Sequence, residues 1–275
     1  MVKTDSAPAR PAPKLTVRQR RRLARVVQYA VFIFAVGLVV ALVDWATISE
    51  SFLDIDVAGE MFPAAYRAFG NTVAYTILAY IAGSIMGVPL ALMRISSNLV
   101  YRIFATVFIE IFRGLPALLV LFGVGYGLPL AFGSQFSLPG GNYGTVALAL
   151  GLTSAAYIAE TVRAGIQAVP SGQVEAARSL GMTHSRTMIT VVLPQAIRIV
   201  IPPLTNEFVM LTKDSSLVYV IGISAASMEI TRLSQVTMNN EANATPLIVG
   251  GLLYLMLTVP LGYLARRLEN KEGRS

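Results

Sequence analysis

The chain has 275 residues, of which 55% are hydrophobic and 13% are charged, whereas soluble globular domains carry about a quarter charged residues. This composition indicates a lipid-embedded protein. The formal net charge of +7 is typical of nucleic-acid binding, but residues 1–25 hold eight bases and one acid, and the remaining 250 residues are neutral. We therefore expect a basic tail against anionic membrane lipid and no nucleic-acid partner. Since cysteine is absent and histidine occurs once, we expect no metal and no cofactor.

Charge-free stretches predict an all-α integral membrane protein with six membrane-spanning helices, because about 20 apolar residues cross a bilayer. The longest stretch, residues 114–159, is divided by a loop at residues 133–144 that is rich in Gly, Ser and Pro. Its first half is expected to begin upstream, near Ile103. The six predicted spans are residues 26–43, 68–93, 103–132, 145–159, 197–223 and 242–265.

The distribution of lysine and arginine predicts that both termini are cytoplasmic. With six spans, 18 basic residues fall on the side of the termini, and only Arg67 and Arg232 lie in the opposite loops. Basic residues favour the cytoplasmic side. The first span is expected to be an uncleaved anchor, since its apolar run exceeds that of a secretory signal and no small-x-small cleavage site follows it.

Residues 170–194, on the predicted cytoplasmic side, have the pattern of two short helices joined by a turn. Ser171 is expected to cap the first helix, Gly181 to end it in a left-handed conformation, and Thr183 to cap the second helix. This second helix is expected to run to Val192, and Pro194 to begin the next span. From the pattern alone, this hairpin is either a connecting loop or a docking element for a cytoplasmic partner.

The same segment resembles the EAA loop of ABC importer permeases. Several fixed positions agree over 20 residues, and the one departure is a valine where isoleucine is usual. The matching residues are Glu175, Ala176, Ala177, Gly181, Val191, Leu193 and Pro194.

Other motifs are similar to those of the polar amino acid uptake group, the histidine/glutamate/glutamine/arginine/opine permeases. They occur before and after the EAA-like segment, so the resemblance extends over roughly residues 68–267. The motifs are Arg113-Gly114-Leu115-Pro116, then Ala156-Tyr157-Ile158-Ala159-Glu160 with Arg163 and Gly165, then Gly172-Gln173, Leu204-Thr205-Asn206 and Lys213-Asp214-Ser215-Ser216-Leu217.

This resemblance implies the permease subunit of an ATP-binding-cassette importer that brings a polar amino acid through the bacterial cell membrane. It implies a second permease subunit, identical or related, an ATPase subunit docked on each EAA loop, and an extracytoplasmic binding protein. The chain has no Gly-x-x-x-x-Gly-Lys-[Ser/Thr] motif, so we expect hydrolysis by the partner and no enzymatic activity here. Because the group's common plan has five spans, residues 26–45 are expected to be an added N-terminal helix before a transmembrane domain at residues 68–267. The EAA-like residues above are the implied coupling element.

Charges within the predicted spans, or directly at the end of one as for Glu160, are the candidates for the substrate path, because a charge in the bilayer is costly. Glu160 and Glu207 are expected to meet the ammonium group or a basic side chain of an amino acid, and Arg113 its carboxylate. Glu160 also lies three residues from Arg163, a spacing at which the two side chains can pair with each other. Asn206, Lys213 and Asp214 are the remaining candidates, with helix packing or an interfacial position as the alternative.

Two other classes of transport protein are alternatives. Residues 124–127 are similar to a potassium-channel filter, but Gly123 stands where threonine is usual, and Gly123 and Gly127, like Gly83 and Gly87, have the spacing of close helix packing. An ion-coupled secondary transporter would carry protons on intramembrane acids, but it predicts matching halves, and the sequence shows no convincing repeat.

Overall fold

The computed structural model of the protein describes residues 17–133 and 135–272, and these residues form helices joined by short turns, with no β-strand among them. The expected all-α architecture is confirmed. The chain divides into two compact units, residues 1–49 and residues 50–275. Of the predicted basic tail, residues 1–16 lie outside the described part of the chain.

The first unit contains one long helix, α1, at Val17–Leu42. Its 26 residues rise about 39 Å, enough to cross a bilayer. The short helix α2, Trp45–Phe52, follows it. Asp44 directly precedes α2, and its carboxylate accepts hydrogen bonds from the hydroxyl and the backbone N–H of Thr47. These hydrogen bonds hold the pKa of Asp44 below its ordinary value.

The second unit contains the remaining helices. Two π-helical turns, Gly123–Gly127 and Met188–Val192, and a 3-10 turn, Ser215–Ile221, continue helices rather than separate them. The helices are α3 (Ile55–Ile95), α4 (Leu99–Gly114), α5 (Ala117–Phe122), α6 (Leu128–Phe132), α7 (Asn142–Gln167), α8 (Ser171–Ser179), α9 (His184–Thr187), α10 (Leu193–Asp214), α11 (Ile230–Glu241) and α12 (Thr245–Glu272).

Five helices in the described residues are long and apolar enough to cross a membrane, or six if the bent pair Leu99–Gly114 and Ala117–Phe132 is one span. α3 begins well before the predicted residue 68, because Asp54 caps it by accepting hydrogen bonds from two backbone N–H groups. The charges that ended the predicted span, including Arg67, lie inside this helix. The predicted third span begins at Leu99, and it is not continuous.

α3 and α7 approach each other closely where α3 carries glycines. A Cβ atom at Gly83 would lie 2.7 Å from the Oγ atom of Ser154, and one at Gly87 would lie 2.7 Å from the backbone oxygen of Ala155. Such distances are shorter than van der Waals contact, so only glycine permits this packing. The close packing expected at these two positions is confirmed.

The filter-like sequence at residues 123–127 forms a π-helical turn, so its backbone is helical and not an extended pore loop. Gly125 is the glycine in close contact here, since a Cβ atom there would lie 2.7 Å from Ile221. The close packing expected for Gly123 and Gly127 is wrong, because no described atom lies within 4 Å of a Cβ at either position. The spacing of glycines did not reveal which of them faces a neighbouring helix.

A buried carboxylate fixes the start of α11. Glu229 is fully buried, and it accepts hydrogen bonds from the backbone N–H groups of Thr231 and Arg232 and from the hydroxyl of Tyr254. Burial raises the pKa of Glu229, and these hydrogen bonds oppose the increase. The carboxylate thereby links α11 to α12.

Candidate functional site

A cavity of about 540 Å³ lies between α4, α5, α7 and α10. Its size is within the range of about 300 to 1,000 Å³ that is usual for small-molecule sites. The lining combines backbone from a helix break with three charged residues and two residues that carry a hydroxyl group. The lining residues are Arg113, Gly114, Leu115, Pro116, Ala117, Thr153, Tyr157, Glu207, Met210 and Asp214.

The break between α4 and α5 forms one wall of this cavity. Leu115 has extended backbone angles and Pro116 begins the next helix, so the chain bends by 105° there. Proline disfavours a helical conformation of the residue before it, which explains the position of the corner. The bend leaves non-helical backbone at membrane depth, and such backbone is tolerated where it lines a cavity.

Arg113 lies in the last turn of α4, directly before the break. Its guanidinium carbon is 5.5 Å from the centre of the Tyr157 ring, a cation–π distance. A cation is also favourable at the carboxyl end of a helix. Among the described residues no carboxylate forms an ion pair with Arg113, so its charge is available to an anionic group.

Two acidic residues of α10 line the cavity on the other side. Glu207 and Asp214 are seven residues apart, which is two helical turns and about 10 Å along the axis, and both are half-buried. Within the described part of the chain neither forms an ion pair. With both carboxyls ionised and Arg113 charged, the cavity carries one surplus negative charge.

Thr153 lines the same cavity, and its hydroxyl oxygen is fully buried with no hydrogen-bond partner among the described residues. The residue as a whole is 7% exposed. A buried hydroxyl without a partner is costly, and native proteins satisfy nearly all such groups. A water molecule or a rotation of the side chain toward the cavity would satisfy this hydroxyl.

Glu160 lies outside the cavity, three residues beyond Tyr157 toward the end of α7. Its carboxylate is 2.9 Å from Nη1 of Arg94 and 3.1 Å from Nε of Arg163. Arg94 also forms an ion pair of 3.2 Å with Glu110. This network joins α3, α4 and α7, so the pairing of Glu160 with Arg163, raised above as the alternative, is present.

The cavity thus brings together three of the six candidates for the substrate path, Arg113, Glu207 and Asp214. Asn206 and Lys213 are exposed and do not line the cavity. Sequence reasoning did not single out Thr153, Met210 or the backbone of residues 114–117. The adjacent Leu115-Pro116 pair was the signal for the backbone corner, whereas a threonine in an apolar span carries no sequence signal of its own.

The helical hairpin at residues 170–194 is present, with Gly181 at its turn. Gly181 has a φ of +82°, which confirms the expected left-handed end of the first helix. The Nη1 atom of Arg178 donates a hydrogen bond of 2.6 Å to the backbone oxygen of Met182 and closes the turn. Thr183 caps α9, and its hydroxyl accepts from the N–H of Arg186, as expected.

Two expectations for this hairpin are wrong. Ser171 does not cap α8, because Pro170 occupies the cap position and Ser171 is the first helical residue. The second arm does not end before Pro194, since α9 continues through the π-helical turn Met188–Val192 into α10. Proline lacks an N–H and crowds the preceding turn, and the wider π turn accommodates it without a break.

The base of the hairpin is packed and its tip is open. Val192 is buried against the ends of α7 and α10, in a cluster with Ile166, Val169 and Ala196. Leu180, beside the turn, is 85% exposed. Of the EAA-like residues, Ala177 is buried, Val191 is intermediate, and Glu175, Ala176, Gly181, Leu193 and Pro194 are exposed.

Comparison with known proteins gives a family match and close relatives. Residues 79–274 match the family model described as binding-protein-dependent transport system inner membrane component. The probable glutamine ABC transporter permease protein GlnM of Bacillus subtilis is 37% identical over 221 residues, which are 79% of this chain and 99% of that protein. The arginine transport system permease protein ArtQ of the same organism is 33% identical, over 80% of this chain and 97% of that protein.

A solved structure has the same fold. The crystal structure of an amino acid ABC transporter with histidines contains a chain that superposes with a TM-score of 0.72 at 36% identity. The superposition covers 79% of this chain and 98% of that chain.

Proposed function

We propose that this chain, which belongs to the family of binding-protein-dependent transport system inner membrane components, moves a polar amino acid into the cytoplasm through the cavity between α4, α7 and α10. It is a multi-pass protein of the bacterial cell membrane and the transport component of an ABC importer. ATP hydrolysis belongs to a partner subunit. The relatives that carry glutamine or arginine in their names support a polar amino acid as the substrate.

The single observation that carries this proposal is the unpaired polar lining of one cavity. An amino acid presents a carboxylate and an ammonium group, which match Arg113 on one wall and Glu207 on the other. Thr153 is a further lining residue, and its hydroxyl has no partner within the described part of the chain. With both acids ionised, Asp214 leaves one surplus negative charge, which favours an amino acid with a cationic side chain.

The hairpin at residues 170–194 is the proposed coupling element to the ATPase. Its second arm is one continuous helix with α10, the helix that carries Glu207 and Asp214. A push on the exposed tip at Leu180 is therefore transmitted along α10 to the cavity. The coupling residues are Glu175, Ala176, Ala177, Gly181, Val191, Leu193 and Pro194.

In the membrane we propose six spans with both termini in the cytoplasm. α4 together with Ala117–Phe132 is one span broken at residues 115–116, which supports a count of six. The placement of 18 basic residues on the side of the termini supports the orientation. Residues 26–45 are an added N-terminal helix, before a transmembrane domain at residues 68–267.

The family supports the following proposed partners. Two permease subunits, identical or related, each bind one ATPase subunit, and an extracytoplasmic binding protein delivers the amino acid. The test is uptake of radiolabelled arginine and glutamine by the permease reconstituted with its ATPase and binding protein. We expect uptake only with ATP, and faster for arginine. Uptake by the purified chain alone, driven by an ion gradient, would contradict the proposal.

The control for this test is the same assembly with an ATPase whose phosphate-binding lysine is replaced. This variant retains the protein contacts but cannot hydrolyse ATP, so it must abolish uptake if the ATPase drives transport. Faster uptake of glutamine than of arginine would retain the transport class and overturn the preference for a cationic side chain.

A further inference from the structure

The first turns of α1 carry five arginines that the proposed transport path does not use. They are Arg18, Arg20, Arg21, Arg22 and Arg25. The family match begins at residue 79, so the family does not assign a role to this segment. The side chains of residues 18–25 are all exposed.

Four of these arginines share one face of the helix. Counted from Arg18, the other three arginines, Arg21, Arg22 and Arg25, follow at offsets of three, four and seven residues. Side chains at these offsets lie on the same face of an α-helix. Arg20 points to the opposite side, as does Leu23. The four guanidinium groups therefore form a continuous cationic strip of about 10 Å along the helix.

Few acids accompany this strip in the described part of its own unit. α1 contains no acidic residue, and the described residues of the first unit contain one acid, Asp44, which is 19 positions beyond Arg25. Like charges at these spacings destabilise a helix, and cations at its amino end oppose the helix dipole. Both effects are relieved if anions bind along the strip.

The helix places the strip at the depth of lipid headgroups. The apolar part of α1 begins directly after Arg25 and contains 17 residues up to Leu42, about 26 Å of helix against a hydrocarbon core of about 30 Å. The headgroup layer of one leaflet is about 5 to 7 Å thick. The strip begins at the edge of the hydrocarbon core and extends through this layer.

We infer that Arg18, Arg21, Arg22 and Arg25 form a binding site for the phosphodiester headgroups of anionic phospholipids. Guanidinium groups bind phosphate oxygens in a bidentate manner, and a strip of four accommodates more than one headgroup. This inference rests on the proposed function only in that α1 spans the membrane with its N-terminus in the cytoplasm.

The experiment uses the full permease with its ATPase subunits in vesicles of phosphatidylcholine and phosphatidylglycerol. The ratio of the two lipids that remain bound after detergent extraction is measured by mass spectrometry.

Arg21→Gln and Arg20→Gln are the matched pair, because they remove the same charge from neighbouring positions on opposite faces. A base near an anionic surface contributes about 1 kcal/mol, about a fivefold factor. We expect Arg21→Gln to lower the preference for phosphatidylglycerol about fivefold, and Arg20→Gln to lower it by less than about twofold.

Four such contributions multiply to roughly several hundredfold, so the variant with all four strip arginines changed to glutamine should abolish the preference for phosphatidylglycerol. Equal losses from the matched pair would overturn the site in favour of diffuse surface charge. Release of phosphatidylglycerol by inorganic phosphate would assign the strip to free phosphate. Loss of the ATPase subunits with unchanged lipid ratios would assign it to a protein contact. Uptake is measured in the same vesicles, so failure of transport and failure of lipid selection are read separately.

Discussion

Arg113 is the one base among the residues that line the cavity, and its substitution tests the carboxylate contact directly. A charge-assisted hydrogen bond contributes about 1.5 to 3 kcal/mol, so we expect Arg113→Gln to lower kcat/KM for uptake about 10- to 100-fold, mainly through KM. Arg113→Lys keeps the charge and should restore part of the loss. Arg102→Gln, at the exposed opposite end of α4, is the matched control. Equal effects of Arg113→Gln and Arg102→Gln would remove Arg113 from the substrate path.

Thr153 and Ser154 offer a comparison of two buried hydroxyls without partners. Thr153 lines the cavity, whereas Ser154 faces Gly83 on α3. A neutral hydrogen bond contributes about 0.5 to 1.5 kcal/mol, so Thr153→Val should raise the KM for uptake about 2- to 12-fold with abundance unchanged. Ser154→Ala removes a hydroxyl of the same kind away from the cavity and should leave KM unchanged. An unchanged KM in Thr153→Val would mean that the hydroxyl does not meet the substrate.

Helices were predictable from charge-free stretches, but their interruptions and continuities were not. The break at Leu115-Pro116 was missed because no charge marks it, although the proline itself predicts it. The continuity through Pro194 was missed for the opposite reason, since a π-helical turn absorbs the proline. Apolarity determines what enters the membrane, whereas backbone chemistry determines where a helix bends.

Gly87 fixes the distance between α3 and α7. A Cβ atom at this position would lie 2.7 Å from a backbone oxygen of α7, and backbone cannot move aside as a side chain can. We expect Gly87→Ala to destabilise the protein by about 1 to 3 kcal/mol, measured as a lower Tm in detergent. Gly70→Ala in the same helix meets no described atom within 4 Å. It should stabilise by up to about 1 kcal/mol through helix propensity, and a shift of the same sign in both variants would contradict the close approach.

Gly181 sets the turn of the coupling hairpin through its left-handed backbone. A β-branched residue at a φ of +82° is strained by about 1 to 2 kcal/mol or more, whereas asparagine tolerates this region. We expect Gly181→Val to abolish ATP-driven uptake while the protein still reaches the membrane, and Gly181→Asn to retain most of it. The measurement is uptake together with permease abundance in membranes. Full uptake by Gly181→Val would show that the turn does not transmit the ATPase movement.

For the whole molecule, the placement of charges was more informative than their sum. The net charge of +7 arises from the N-terminal segment, and the neutral remainder contains the charges of the cavity and of the Glu160 network. Sequence reasoning found Arg113, Glu207 and Asp214 because ionisable groups in apolar spans are few. It raised the pairing of Glu160 with Arg163 but could not decide between pairing and lining, because a paired acid and a lining acid look alike until the neighbouring helices are placed.

The six-span arrangement makes a prediction about both faces of the membrane. The chain has no cysteine, so each introduced cysteine is a unique label. Ser97 and Ser137 are exposed and flank the bent pair α4 to α6. If this pair is one broken span, a membrane-impermeant maleimide added to intact spheroplasts labels Ser137→Cys but neither Ser97→Cys nor Ser275→Cys, and disruption of the membrane exposes all three.

A re-entrant loop predicts the same labelling at both positions of this pair. Ser97→Cys and Ser137→Cys would then lie on one side, and the two termini would face opposite sides because five spans remain. Unpaired backbone within a broken span is tolerated only where it is buried in protein or lines a cavity. Here the cavity lies at the corner of the bent pair. We therefore expect the asymmetric labelling, with Ser185→Cys in the hairpin as the cytoplasmic reference. Labelling of Ser97→Cys from outside would overturn the six-span topology without affecting the family assignment.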